Sequence, residues 1–177
     1  ATATRAWTLS GVLVGSHVRG DAAVVAALQQ APQRYYQRTD AVYLGVDPAA
    51  ESLSGYRGEV ALAKTGGGRH WRGSLTLGAT SPGFETNDLG YQTRADLLSA
   101  DWEVRYNDPQ PGAALLNYVT VFAQGAQGAN YGGDVVEHTY NLGSYVRFAN
   151  LWGAQAIGTV RPAYADDRRT RGGPLTE

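Results

Sequence analysis

The sequence contains no cysteine, no methionine and no long uninterrupted apolar run. The absence of cysteine excludes disulfide scaffolds, thiolate metal sites and cysteine nucleophiles. No run approaches the roughly 18 apolar residues that a transmembrane helix needs. Because methionine is absent, Ala1 is not a natural start, and we expect the chain to be a processed product or an excised piece of a longer one.

Charge and catalytic patterns are also sparse. The formal net charge of the 177-residue chain is −1, which gives no reason to expect a nucleic-acid partner. His17, His70 and His138 fall on different segments without the spacing of a metal site, so no metal and no cofactor are predicted. No serine shows the pattern of a nucleophile with a positioned base, and we expect no enzymatic activity.

What the chain does contain is alternation of apolar and polar residues. Between Val136 and Phe148 the even positions are mostly apolar and the odd positions mostly polar, which is the pattern of a strand with two different faces. This segment is about thirteen residues long, whereas ordinary strands have about five or six. Six further segments alternate less strictly: Arg5–His17, Leu53–Lys64, Trp71–Ala79, Ser99–Asn107, Ala113–Gln124 and Ala154–Tyr164. The pattern predicts an all-β fold, an antiparallel up-and-down meander of about seven long strands.

The stretches outside these segments carry five smaller predictions. Residues 21–30 have helical spacing, with Asp21 as N-cap and Pro32 as terminator, and predict one short surface helix in a loop. Residues 42–46 suggest a small extra strand. We predict a loop at residues 125–134 and a solvated loop at residues 166–169. Asn87 and Asp88 suggest an Asx turn. In the mixed fifth segment, Leu116, Tyr118 and Phe122 are assigned to the more apolar face.

Connection lengths and aromatic residues favour a membrane β-barrel. Long connections follow the first, third and fifth segments, and short turns follow the second, fourth and sixth, as in outer-membrane barrels. The predicted external loops are 18–52, 80–98 and 125–133. Toward the short-turn end, an aromatic girdle at the membrane interface is predicted from Trp7, Trp71, Trp102, Tyr106 and Trp152.

The polar faces of the segments carry charges that suit a water-filled lumen. The predicted lumen-lining residues are Arg57, Glu59, Arg72, Asp101, Glu103, Arg105, Glu137 and Arg147. Asp101 and Glu103 share a face and could act as paired carboxylates, but Arg105 beside them favours a ladder of lumen charges. The alternative is a soluble envelope β-domain that binds carbohydrate through aromatics such as Tyr35, Tyr36, Tyr91 and Tyr131, because its strands would alternate too.

Seven is an odd number of strands, whereas single-chain bacterial barrels close with an even number of at least eight. Residues 1–177 are therefore predicted to form one partial β-barrel domain. The expected partners are the lipid bilayer, an extracellular glycan or small solute, and the missing barrel strands of the parent chain.

Three stretches resemble a known family of bacterial envelope proteins, the domain of unknown function 5916. They are SPGFETNDLGYQTRAD at 81–96, DDRRTRGGP at 166–174 and SHVRGD at 16–21. The resemblance runs from about Trp7 to Pro174. In that family a carbohydrate-binding-like N-terminal domain precedes a predicted outer-membrane barrel, so the resemblance implies a barrel fold and a location in the bacterial outer membrane. It implies no catalytic residues, and it makes this chain look like a fragment of the barrel.

Overall fold

The computed structural model describes residues 6–86, 90–112 and 114–176. They form one seven-stranded antiparallel sheet in which each strand pairs with its neighbours along the chain. The strands are β1 (Trp7–Arg19), β2 (Ser52–Lys64), β3 (Trp71–Thr80), β4 (Leu97–Asp108), β5 (Leu116–Ala129), β6 (Val135–Phe148) and β7 (Gly153–Val160). The predicted all-β meander is confirmed, and the described sheet is open, with β1 and β7 at its edges.

One helix, α1 (Ala22–Gln30), lies between β1 and β2 as predicted. The backbone carbonyl of Asp21 accepts from the amides of Val24 and Val25, at 2.9 and 3.0 Å, although its side chain forms no cap bond. The helix ends at Ala31, which is extended (ψ 153°) because Pro32 follows it. No helix in the described part of the chain is long and apolar enough to cross a membrane.

The register divides the sheet into two faces. One row of paired residues crosses all seven strands: Leu9, Leu62, Leu75, Trp102, Gly125, Tyr140 and Val160. Residues two positions along each strand continue this apolar face, and the intervening residues form the polar face. Leu9, Leu13 and Leu142 on the apolar face are 72%, 76% and 63% exposed, so nothing in the described chain covers it.

Most of the buried residues lie at the end of the sheet where the long connections are. We call residues 20–51, 81–86, 90–96 and 161–176 the loop cap. Its apolar core includes Val25, Ala41, Phe84 and Ala95, each 4% exposed or less. The helix therefore has one buried face, although Val24 on its other side is 55% exposed.

The loop cap contacts the polar face of β2 through two glycines. A Cβ at Gly55 would overlap the backbone nitrogen of Phe84, and a Cβ at Gly83 would overlap the carbonyl oxygen of Ser54. The Glu85 amide also donates to Ser16 Oγ at 3.0 Å. The SPGFE run is thus the segment that folds back onto the sheet, and the close approach of two backbones requires glycine in both.

The fifth strand differs from its prediction. Residues 125–129 belong to β5, so the connection to β6 is only 130–134, and the predicted long loop at 125–133 is wrong. A Cβ on Gly125 would lie 2.6 Å from Trp102 Nε1, so this strand is glycine-rich because neighbouring side chains lie over it. The asymmetry of connection lengths consequently holds for 20–51 and 81–96 but fails at the β5–β6 connection.

Two further assignments are corrected. Residues 42–46 form turns and irregular structure rather than a strand. Phe122 pairs with Arg105 and Gly143 on the polar face, and Tyr118 pairs with Arg147 on the same face. The predicted grouping with Leu116 fails because a register shift separates Leu116 from Tyr118. The ring of Phe122 lies where Gly143 has no side chain, and this space explains its position on the polar face. The predicted Asx turn at Asn87 and Asp88 lies outside the described residues.

Candidate functional site

The eight charged residues predicted from alternation all lie on the polar face of the sheet. Their pairing partners and their spacing along each strand place them on the same side. They are Arg57, Glu59, Arg72, Asp101, Glu103, Arg105, Glu137 and Arg147. This shared face is what period-two patterning could predict, because each strand contributes every second residue to it.

The charges on the polar face are ordered along the strands. Arg72 pairs directly with Arg105 near the short-turn end. Glu103, then Asp101, follow in the next two rows of β4, and beyond them one row contains both Glu59 and Glu137. Arg57 lies one row further, toward the loop cap. Carboxylates therefore occupy the middle of this face, with arginines on either side.

Local contacts offset the repulsion between the two paired arginines. Arg105 forms a two-pronged ion pair with Glu103, with both N–O distances at 3.0 Å, and its guanidinium lies 5.5 Å from the centre of the Phe122 ring. Arg72 instead donates to the carbonyl oxygens of Gly68 and Trp71, at 2.9 and 2.8 Å. Both arginines are held in place while the face remains open to solvent.

A shallow pocket of about 280 Å³ lies beside these charges on the polar face. Its lining is rich in hydroxyl, carboxylate and amide groups: Ser74, Thr76, Asp101, Glu103, Gln124 and Asn141. Such a surface can exchange hydrogen bonds with water and with polar solutes. Among the described residues there is no group of three or more His, Cys, Asp or Glu arranged to hold a metal ion.

Four of the five predicted girdle aromatics lie toward the short-turn end of the sheet. Trp71 meets Tyr106 edge to face, with ring centroids 5.2 Å apart, and Tyr106 stacks on His70. Trp7 and Trp152 are 58% and 75% exposed. Trp102 lies further along the apolar face, paired with Leu75, and its ring centroid is 6.3 Å from that of Tyr140.

The most enclosed polar structure in the chain is an ion-pair network in the loop cap. Arg38 bonds Asp167 and also Asp96, the latter at 2.7 Å, and all three side chains are 2% exposed. Asp167 also bonds Arg94 at 2.7 Å. Tyr43 Oη donates to Asp96 at 2.6 Å. Buried charges with several partners of this kind fix one arrangement of the segments that contain them.

Asp96 joins the network to the sheet. It is 1% exposed, directly precedes β4, and has a left-handed backbone with φ 57°, a conformation that aspartate tolerates better than most residues. Its second carboxylate oxygen accepts from the Tyr131 amide in the β5–β6 connection at 3.0 Å. One carboxylate thus ties three connections together.

The C-terminal segment closes the cap. Arg168 donates to the carbonyl oxygens of Pro32 at 2.6 Å and Gln33 at 3.0 Å. Burial, with the nearby charge of Arg94, lowers the pKa of Arg168 to about 10. The predicted solvated loop at 166–169 is therefore wrong, because Asp167 is 1% exposed.

The network also affects its other titratable groups. Burial raises the pKa of Tyr43, and its hydrogen bond to Asp96 raises it further. Burial opposes the charge on Arg38, but the carboxylates around it, Asp167 first, raise its pKa overall. The guanidinium therefore stays charged, and the phenol stays protonated, through the physiological pH range.

Strand alternation could not find this network, since its members are in loops far apart in sequence. A signal was nevertheless present. The stretches at 81–96 and 166–174 that carry the family resemblance supply Asp96, Asp167 and Arg168. The most recognisable motifs of the chain are therefore those that build the loop cap.

A comparison with known protein families identifies the family of the chain. A family model described as Domain of unknown function (DUF5916) matches residues 17–169, which is more than half of the chain. The chain belongs to this family. Searches of curated proteins and of solved structures both return no significant match.

Proposed function

We propose that this chain is a segment of a bacterial outer-membrane β-barrel belonging to a channel, a transporter or a surface receptor. The apolar face of the sheet contacts lipid, and the polar face lines a water-filled interior. The protein binds or conducts a small solute or an extracellular glycan and catalyses no reaction. Supporting observations come from the sheet's faces, strand lengths and edges.

The exposed apolar face is the observation that carries the proposal. Large apolar side chains are exposed along it from β1 to β7, among them Leu9, Leu13, Val60, Leu77, Val104, Leu142 and Val160. Water-soluble monomers seldom expose a continuous apolar patch of more than a few hundred Å². A lipid environment removes that cost, because the side chains then contact hydrocarbon.

Strand length agrees with a membrane crossing. β2, β4, β5 and β6 run Ser52–Lys64, Leu97–Asp108, Leu116–Ala129 and Val135–Phe148. A strand tilted by about 45° needs roughly 9–11 residues to cross a bilayer. The surplus residues extend beyond the hydrocarbon into the turns at one end and the loop cap at the other.

The open edges imply additional strands. β1 pairs with β2 alone and β7 with β6 alone, so each leaves a row of backbone groups without a ladder partner in the described chain. Hydrocarbon cannot satisfy such groups. We propose that strands of the parent chain pair with both edges and close the barrel.

The first test compares a charge on the two faces at adjacent positions. Leu75→Arg places a guanidinium on the apolar face, and Thr76→Arg places it on the polar face of the same strand. For insertion of the parent chain, whose further strands close the barrel, into liposomes, we expect Leu75→Arg to cost about 2–4 kcal/mol if the site is near the bilayer midplane. We expect Thr76→Arg to insert normally and to change ion conductance. Equal tolerance at both positions would count against the proposal.

Carbohydrate binding by a soluble envelope domain remains the second candidate, supported by Tyr91, which is 91% exposed in the loop cap. Tyr131 is less available, because its hydroxyl lies 3.0 Å from that of Tyr56. This alternative requires a monodisperse monomer without detergent and quenching of tryptophan fluorescence by sugars. A broad glycan panel without any binding would remove it.

A further inference from the structure

A pair of polar side chains on β5 and β6 interrupts the apolar face near the loop cap. Gln127 of β5 pairs directly with His138 of β6, in a row whose other members include Val60, Leu77 and Ala100. The neighbouring row toward the loop cap contains Leu98 and Ala129, so the pair has apolar residues beyond it. Polar residues are rare on a lipid-facing surface and mark functional sites there, which makes this pair a candidate binding site.

The pair lies in a groove. A depression of about 300 Å³ is lined by Leu98, Ala100, Ala129 and Val135 together with Gln127 and His138. Tyr140 lies one row away, and its hydroxyl is 2.8 Å from His138 Nε2. An apolar groove with hydrogen-bonding groups inside it is complementary to a molecule that has an apolar chain and a polar head.

The position of the groove along the strands suits a lipid. Gln127 is two residues from the end of β5 at Ala129, and His138 is three residues after the start of β6 at Val135. In a membrane barrel the ends of the strands lie at the level of the lipid headgroups. The lining residues include no carboxylate, so nothing within the groove repels an anionic head.

We propose that this groove binds one phospholipid, with an acyl chain along Leu98, Ala129 and Val135. The phosphate accepts hydrogen bonds from the Gln127 amide and the His138 ring. The inference rests on the proposed function, because a lipid reaches this face only if the face is in a membrane. It assigns a specific lipid contact to β5 and β6.

The test uses the parent chain, in which the barrel is closed, in dodecyl maltoside micelles and native mass spectrometry. The probes are dimyristoyl phosphatidylglycerol and dimyristoylglycerol, which differ by the phosphate-containing head. The test variant is Gln127→Leu with His138→Leu. The matched control is Gln124→Leu with Asn141→Leu, a directly paired position on the same two strands but on the polar face.

We expect the unaltered chain to retain one phosphatidylglycerol in preference to dimyristoylglycerol. Losing two hydrogen bonds to a charged group lowers retention about tenfold or more in the test variant. The control variant retains the lipid as the unaltered chain does. Equal retention of the two probes, or equal loss in both variants, would overturn the inference. A co-purifying polypeptide on this groove in place of lipid would overturn it as well.

The same samples separate this inference from the proposed function. Flotation of the unaltered parent chain, with its barrel closed, with liposomes reports insertion independently of lipid selectivity. Insertion without selective retention overturns the lipid site alone. Failure to insert overturns both.

Discussion

Single residues in the loop cap determine how its segments are held together. Arg38 neutralises Asp96 and Asp167, which come from different connections and are both almost fully buried. If Arg38 is removed, Arg94 still provides a positive charge beside Asp167, but its side chain is 16% exposed. Breaking a buried pair by removing one partner costs far more than breaking a surface pair.

We predict that Arg38→Met destabilises the loop cap by about 3–5 kcal/mol. Amide hydrogen exchange should show the loss in the cap residues 28–47 and in the 130–134 connection, while the centre of the sheet keeps its protection. Arg69→Met is the control, because Arg69 is exposed and bonds only Gln110, at 3.0 Å, among the described side chains. Equal effects of the two substitutions would show that the network does not hold the cap.

At the scale of the strands, the glycines in β5 are explained by the side chains that lie next to them. Gly125 lies opposite Trp102, and the indole occupies the space that a side chain at Gly125 would need. Intrinsic strand propensity favours valine over glycine at such a position. The structure predicts the opposite, because the indole would have to move.

Gly125→Val is therefore expected to destabilise the β4–β5 pairing by about 1–3 kcal/mol, the usual cost of overpacking. The near-ultraviolet signal of Trp102 should change with it. Ala123→Val, on the same strand and face, is the matched control and should be nearly neutral. A stabilised Gly125→Val variant would mean that propensity outweighs packing here.

The same residues explain how much could be predicted from the sequence. The strands with strong alternation, above all Val135–Phe148, could be recognised because each carries its two faces in its own residues. The Gly125–Ala129 part of β5 could not, because its reason for being a strand lies in Trp102 and in the ladders on either side. The eight polar-face charges followed from period two alone, whereas the Arg38–Asp96–Asp167 network depends on tertiary contacts between distant loops.

At the scale of the whole molecule, the main observation is which side chains are buried and which are exposed. The apolar face of the sheet is exposed, and most of the buried residues are in the loop cap, including Arg34, Arg38, Asp96 and Asp167. A water-soluble sheet would bury its apolar face against a second layer. An exposed apolar face is expected if the sheet lies in a membrane. The loop cap then lies over the polar face, at the end of the sheet where the long connections are.

The most direct test of this account is the environment of successive residues along β4. The chain contains no cysteine, so single cysteines introduced at positions 99–106 can each carry one nitroxide label. When the parent chain is inserted in liposomes, we predict period-two accessibility along β4. Labels at even positions such as Trp102 and Val104 should respond to oxygen dissolved in lipid, and labels at Asp101 and Glu103 to a water-soluble nickel complex. Water accessibility at every position, in a chain that stays monomeric without detergent, would contradict the membrane account.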